Sequence, residues 1–305
     1  MKFNRLSAAF IAGAAVLALA SCSAGSADDG GAAEPAESNG INTDAPLYDL
    51  LPQTVKDAGI ITIAGDTHPP YRTLEENGDI TGIDPDIQAA LAGQLGVPFE
   101  IQTVSGMEAI LTGMLSGRYD GFNGPLRTTP EREAEFDAIV WMTTITSYVY
   151  LAEREDELSD PEALCGARVA GVAGSVTESQ LERYGEWCVA EGLDLPEFVG
   201  LEDTNSTFLA VNSDRADYAG TTQTAAIDLQ ASDEGRYSYL VQSKEQGAGI
   251  DQLAFFAPKD NGMAEPLLAA FEAIFEDGQY EQIMKTWGLE DVSVDAPVLN
   301  PMTSK

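Results

Sequence analysis

One histidine, three cysteines and 16 lysines and arginines are all that this chain of 305 residues offers of those types. Each shortage removes a class of function. Set against 50 aspartates and glutamates, the basic residues leave a formal net charge of −34 at pH 7. Nucleic-acid binding needs a cationic footprint that displaces counterions from phosphate, and none is available. His68 is the lone histidine, so it has no partners for a zinc set, and no serine or cysteine nucleophile pattern surrounds it. An ATP-binding motif is also missing, so any energy-coupled work falls to partner subunits. No cofactor and no metal are expected.

What the chain does have begins with an export signal. Lys2 and Arg5 form a positive n-region, and Leu6 to Ala20 an apolar run too short to cross a bilayer as a finished helix. The run ends in Leu-Ala-Ser-Cys, Leu19 to Cys22, which resembles the lipobox of bacterial lipoproteins. That resemblance implies removal of residues 1–21 and a lipid on Cys22; the alternative is an ordinary signal peptide with a chance cysteine. Each acyl CH₂ buried in the bilayer gains about 0.8 kcal/mol, so several chains would hold the protein on the membrane. From Ser23 to Gly40 nothing larger than Ala is apolar, so residues 22–45 are expected to form a flexible tether. In an exported protein the two remaining cysteines, Cys165 and Cys188, are expected to be paired. Two buried free thiols are the other arrangement.

Some 260 residues follow, about twice the length of an ordinary domain, which predicts two lobes. "IITIAGD" reads as a buried strand that delivers Asp66 to its carboxyl end, and Asn77-Gly78 as a hairpin turn. "DPDIQAALAGQLG" predicts a helix capped by Asp84 with Pro85 at N1, and Ile87, Leu91 and Leu95 on one face. Strand and helix alternate through "RYDGFNG" and again from "ARVAGVAGS" to "QTAAIDLQAS", the rhythm of a parallel sheet with crossover helices. Two β-rich stretches, "AIVWMTTITSYVYLAE" and "IDQLAFFAPK", would connect the halves. The reading is α/β, with two doubly wound lobes joined by a two-segment β hinge. Residues 46–148 plus 255–305 would form lobe 1, and residues 149–254 lobe 2.

In this order, "HPPY", "NGDITGIDPDI", "LSGRYD", "TPER", "GVAGS" and "GQYEQIMKTWG" resemble the motifs of the bacterial extracellular solute-binding proteins, family 3. Membership implies the periplasmic-binding-protein fold of type II and a lobe-closing substrate-binding lipoprotein of an amino-acid-type ABC importer. It also implies an extracytoplasmic, lipid-anchored location, a small polar ligand, and a permease with ATPase subunits as partners. In open α/β sheets ligands bind beyond the carboxyl ends of the strands. Here that selects Asp66 to Tyr71, Asn123 to Arg127, Ala173 to Thr177 and Gly220 to Gln223.

The candidate ligand-binding residues are Asp66, His68, Tyr71, Met107, Asn123, Gly124, Arg127, Arg132, Ser175, Val176, Thr177 and Thr222. By resemblance Arg132 forks an amino acid's carboxylate, a task that suits a planar guanidinium; the other reading is a surface pair with Glu131 or Glu135. "SVTE" fits a capping box from Ser175 to Glu178, compatible with anion binding at the same helix start. Arg127 points equally to an extra negative group or to a structural ion pair. Trp141 and Tyr148 are further wall candidates, though such residues more often belong to a core. One departure stands out: the family's acid for the ligand's α-ammonium is replaced by Thr221, Thr222 and Gln223. Asp66 could take over that role, or the ligand is not a simple α-amino acid.

Two rival functions remain. One is a dehydratase of cyclic acids using Asp66, Glu108 or His68 as general acid; the other is a receptor for signalling without transport. For the importer reading, Arg132→Ala is expected to abolish the ligand-induced rise in melting temperature while the free protein stays folded. A thermal-shift screen of amino acids reads this directly, since ligand at a hundred times Kd adds about 2.7 kcal/mol.

Overall fold

A computed structural model describes residues 40–233 and 235–304. The expected signal peptide, the lipidation site Cys22 and the first part of the tether lie outside the described residues. Residues 40–45, assigned to the tether from composition, are anchored to the first lobe at Asn42 and Ala45. The Asn42 amide donates to Gly96 O at 2.8 Å, and Ala45 is buried.

The described residues hold thirteen strands: β1 (Ile61–Gly65), β2 (Thr73–Leu74), β3 (Ile80–Thr81), β4 (Phe99–Thr103), β5 (Gly121–Phe122), β6 (Phe136–Thr144), β7 (Thr146–Leu151), β8 (Arg168–Val172), β9 (Glu197–Leu201), β10 (Tyr218–Thr222), β11 (Tyr237–Val241), β12 (Asp251–Pro258) and β13 (Ser293–Leu299). They make a six-stranded sheet, β13-β6-β12-β5-β1-β4, a five-stranded sheet, β11-β7-β10-β8-β9, and the hairpin β2-β3. The chain leaves the first sheet at Ile145 and re-enters it at Asp251, a few residues before the boundaries expected from sequence.

Both sheets are mixed: the strand–helix–strand halves are parallel, as their rhythm predicts, and the β-rich connecting strands add antiparallel pairs. Parallel pairing holds where a helix crosses between strands, as for β1 with β4 and β5, and β8 with β9 and β10. Strands β6 and β12 are linked through the other lobe, so no crossover orients them, and they pair antiparallel. So do β7 and β10 in the second sheet. The antiparallel strands β6, β7 and β12 are the hinge strands.

In the first lobe the helix Ile83–Leu95 sets Ile87, Leu91 and Leu95 against Leu267, Phe271 and Ile274 of the helix Ala264–Glu276. Trp141 joins this core, stacked on Phe271 with ring centres 6.3 Å apart. Tyr148 lies in the second lobe's core and donates to Gln242 Oε1 at 3.1 Å. Neither is a wall of the cleft. The cap of the helix Ile83–Leu95 also differs from expectation. Gly82 is the N-cap, and the amides of Ile83 and Asp84 donate to Pro70 O and Tyr71 O. Loop carbonyls thus satisfy the first turn, and Asp84 is drawn inside.

Cys165 and Cys188 are bonded, with Cα atoms 5.7 Å apart, tying the helix Val176–Ala190 to the segment ahead of β8. Closing a loop of this length stabilises by about 3 kcal/mol in the chain-entropy model. Reductant is therefore expected to lower the melting temperature of the wild type and to leave a Cys165→Ser/Cys188→Ser variant unmoved. An unshifted wild type would show that the bond contributes nothing.

Candidate functional site

β1 lies between β4 and β5, and β8 between β9 and β10, so each lobe has a point where strand order reverses. The loops leaving those carboxyl ends meet. Asp66, His68, Met107, Phe122 and Pro125 come from the first lobe. Val172, Ser175, Val176, Thr177, Thr204, Thr207, Gly220, Thr221 and Thr222 come from the second. Together they enclose about 30 Å³, room for one or two waters, against about 300 Å³ for a small-molecule pocket. A solute can enter only when the lobes part.

The second lobe presents helix starts to this space. Ser175 is the N-cap of the helix Val176–Ala190, but the expected capping box does not form. Glu178 Oε2 accepts from the Gly174 amide at 2.8 Å, and Ser175 Oγ is buried without a partner. The first amides of a helix have no intrahelical acceptor and carry the positive end of its dipole. This corner is therefore a donor set. Gly220 makes the approach possible, because a methyl there would overlap Thr177 Cγ2. Thr204 opens a further helix capped by Asp203, whose carboxylate accepts from the Ser206 amide at 2.7 Å. Thr222 caps the helix Gln223–Ser232.

The first lobe presents a carboxylate. Asp66 is 7% exposed. Burial pushes its pKa up to about 6, held from rising further by the Arg72 guanidinium, while Asp203 across the cleft adds to the rise. His68 sits beside it and spans the lobes: Nδ1 lies 2.8 Å from Thr204 Oγ1 and Nε2 3.3 Å from Thr221 Oγ1. Loss of hydration, with the Arg72 cation nearby, lowers its pKa to about 4, so the ring is neutral. One nitrogen then donates to a threonine and the other accepts. His68 and Arg72 exchange backbone hydrogen bonds at 2.8 and 3.0 Å, folding the chain back.

Seven of the twelve candidates thus line the cavity: Asp66, His68, Met107, Ser175, Val176, Thr177 and Thr222. Five lie behind or beside it. Tyr71 is buried with its hydroxyl toward Thr222 and Thr224. Asn123 Oδ1 accepts from Trp141 Nε1 at 3.1 Å, and Gly124 lies against the Phe122 ring. Arg127 is an ion pair with Asp251 at 3.0 Å and donates to Ser179 Oγ at 2.8 Å. Arg132 lies in the first turn of the helix Pro130–Glu135, with Thr129 Oγ1 accepting from its amide, and its guanidinium donates to Arg127 O and to Gly174 O of the other lobe, each at 2.7 Å. Burial and the neighbouring Arg127 lower the Arg132 pKa to about 10.

Sequence reasoning passed over Thr204 and Thr207. The loop after β9 belongs to no reversal point, though "EDTNS" carries a legible helix cap. Thr221 lies in a loop selected from strand order and at the place of the missing acid, but it is not among the twelve candidates.

A profile of the bacterial extracellular solute-binding proteins, family 3, matches residues 60–290. The chain belongs to this family. Among its relatives is the arginine-binding protein ArgT of Corynebacterium glutamicum, 26% identical over 253 residues, covering 82% of this chain and 81% of ArgT. The arginine-binding extracellular protein ArtP of Bacillus subtilis is 22% identical, over 71% of this chain and 82% of ArtP. The fold matches that of AbpA, an amino acid ABC transporter substrate-binding protein of Streptococcus pneumoniae solved with L-arginine. The TM-score is 0.65 at 19% identity, over 77% of this chain and 97% of AbpA. An ancestral amino-acid-binding protein described as a precursor of cyclohexadienyl dehydratase matches at TM-score 0.62 and 22% identity, over 77% and 98%. These are type II periplasmic-binding-protein folds.

The His68 bridge has a pH signature. A base whose pKa falls from 6.5 to about 4 on folding contributes stability that is present above 6.5 and lost as pH falls toward 4. The melting temperature of the wild type minus that of His68→Gln is therefore expected to be largest above pH 6.5 and to narrow on acidification. A difference constant from pH 7 to pH 4 would contradict this.

Proposed function

We propose that the protein is the substrate-binding lipoprotein of an ABC importer for amino acids, held at the outer face of the membrane by a lipid on Cys22. Its lobes close on a zwitterionic solute and present it to a membrane permease with ATPase subunits. One observation carries the reading. Across a single cavity a buried carboxylate, Asp66, faces a helix start whose Ser175 hydroxyl has no protein partner. An ammonium suits the first and a carboxylate the second. The lack of an acid at Thr221 to Gln223 leaves Asp66 to hold the cation, and Asp203 adds to the negative potential there. Arg132 joins once the lobes part, exchanging its bond to Gly174 O for the ligand's carboxylate. The arginine-binding relatives make L-arginine the first solute to test.

A dehydratase needs a free acid at the reacting atoms. Both His68 nitrogens are engaged by threonines, and Glu108 is exposed. Asp66 alone is left, and the binding role accounts for it.

The pH dependence of binding follows from Asp66. With its pKa raised to about 6, the carboxyl is neutral below that value and meets a cation only above it. The affinity for L-arginine, measured by calorimetry from pH 5 to pH 8, is expected to rise through pH 6 and level off above 7. Asp66→Asn should weaken binding by about tenfold or more, the worth of a charged hydrogen bond, and flatten the profile. A wild-type affinity independent of pH over this range would count against Asp66 as the cation's partner.

A further inference from the structure

Behind the cavity wall lies a cation that the ligand reading does not use. Arg72 is 2% exposed and does not line the cavity. Its guanidinium lies against the carboxyl end of β1, where a methyl at Gly65 would overlap Nη1. Nη1 donates to Asp66 O at 3.2 Å and Nη2 to Asn123 O at 2.6 Å. Nη2 also stands 3.5 Å from Asp84 Oδ2, at the start of the helix Ile83–Leu95. Three elements of the first lobe meet on one side chain: the loop after β1, the loop after β5, and a helix N-terminus.

Backbone hydrogen bonds within the sheet do not couple the two loops, because β5 is two residues long and pairs with β1 only at Ile63 and Ala64. Beyond those pairs the distance from Asp66 to Asn123 is fixed through the planar fork of Arg72. A guanidinium can donate in two directions at once while keeping its charge. Its charge has two claimants, Asp84 within ion-pair distance and Asp66 on the cleft side, with Asp203 and the neutral His68 completing the surroundings.

We propose that Arg72 is the positioning residue of the ligand cleft. It fixes the Asp66 loop against the Asn123 loop from behind and keeps the Asp66 carboxylate available for a cationic group, without touching the ligand. The inference rests on the reading of the cleft as an amino-acid site.

Two variants test it. Arg72→Lys keeps the charge but loses the fork, and Arg72→Met/Asp84→Asn removes the cation together with Asp84, its ion-pair partner, leaving Asp66 on the cleft side as the one carboxylate that has lost the cation. Both are expected to stay folded and to bind L-arginine at least about tenfold more weakly than wild type. The midpoint of the pH profile should stay near 6 in Arg72→Lys and move higher in the double variant, since the cation that holds Asp66 down is gone. A packing role alone would lower the melting temperature and leave the midpoint unmoved. Undiminished affinity in folded Arg72→Lys overturns the proposal. If the wild type does not bind L-arginine, the ligand assignment fails, and the ¹³C carboxyl titration of Asp66 in the free protein decides instead. An unchanged midpoint in the double variant then overturns the role of Arg72, and a raised one supports it.

Discussion

Two carboxylates share one guanidinium beneath the cleft, and the rest of the site is arranged around the charge left over. Asp66 and Asp84 both press on Arg72, and burial raises them to about 6 and about 7. A desolvated carboxylate is costly unless paired. Here the pairing is incomplete, so the cavity favours an arriving cation. The opposite wall has the reverse need, donors at the start of the helix Val176–Ala190 without enough acceptors. In the proposed function a small solute carrying both charges would satisfy both walls only with the lobes together, tying recognition to closure.

Closure is also supported by bonds between the lobes themselves. His68 reaches Thr204 and Thr221, Arg132 reaches Gly174 O, and Arg127 reaches Ser179. These contacts lower the free energy of the closed form whether or not solute is present. A ligand shifts the equilibrium only by its differential affinity for the two forms. In the proposed function Arg132 sits at the balance point, since its guanidinium would have to leave Gly174 O to serve a solute. Weakening such a bridge would widen the range over which ligand controls the shape.

Much of this was legible in the sequence because the signals were local. The hairpin at Asn77-Gly78 is short-range chemistry, the cysteine pair follows from export, and the structure has both. The loops after β1, β5, β8 and β10 followed from strand order alone. What escaped is non-local. Asp84 looks like a cap because its alternative, loop carbonyls at Pro70 and Tyr71, comes from a chain segment folded back in three dimensions. Arg72 carries no local signal in the sequence for the same reason. The mixed sheets could not be read because pairing between β6 and β12 spans a whole lobe. Tyr71, Asn123 and Gly124 were placed in the right loops, but which side of a loop faces the cavity depends on packing that neighbouring letters do not encode.

The most direct measurement is a crystal structure of the chain grown with L-arginine. The account predicts density between the lobes, with the α-carboxylate on the amides of Val176 and Thr177 and on Ser175 Oγ, and a cationic group within hydrogen-bond distance of Asp66. A solute bound away from the cavity, or one that leaves Asp66 facing no positive group, would contradict it.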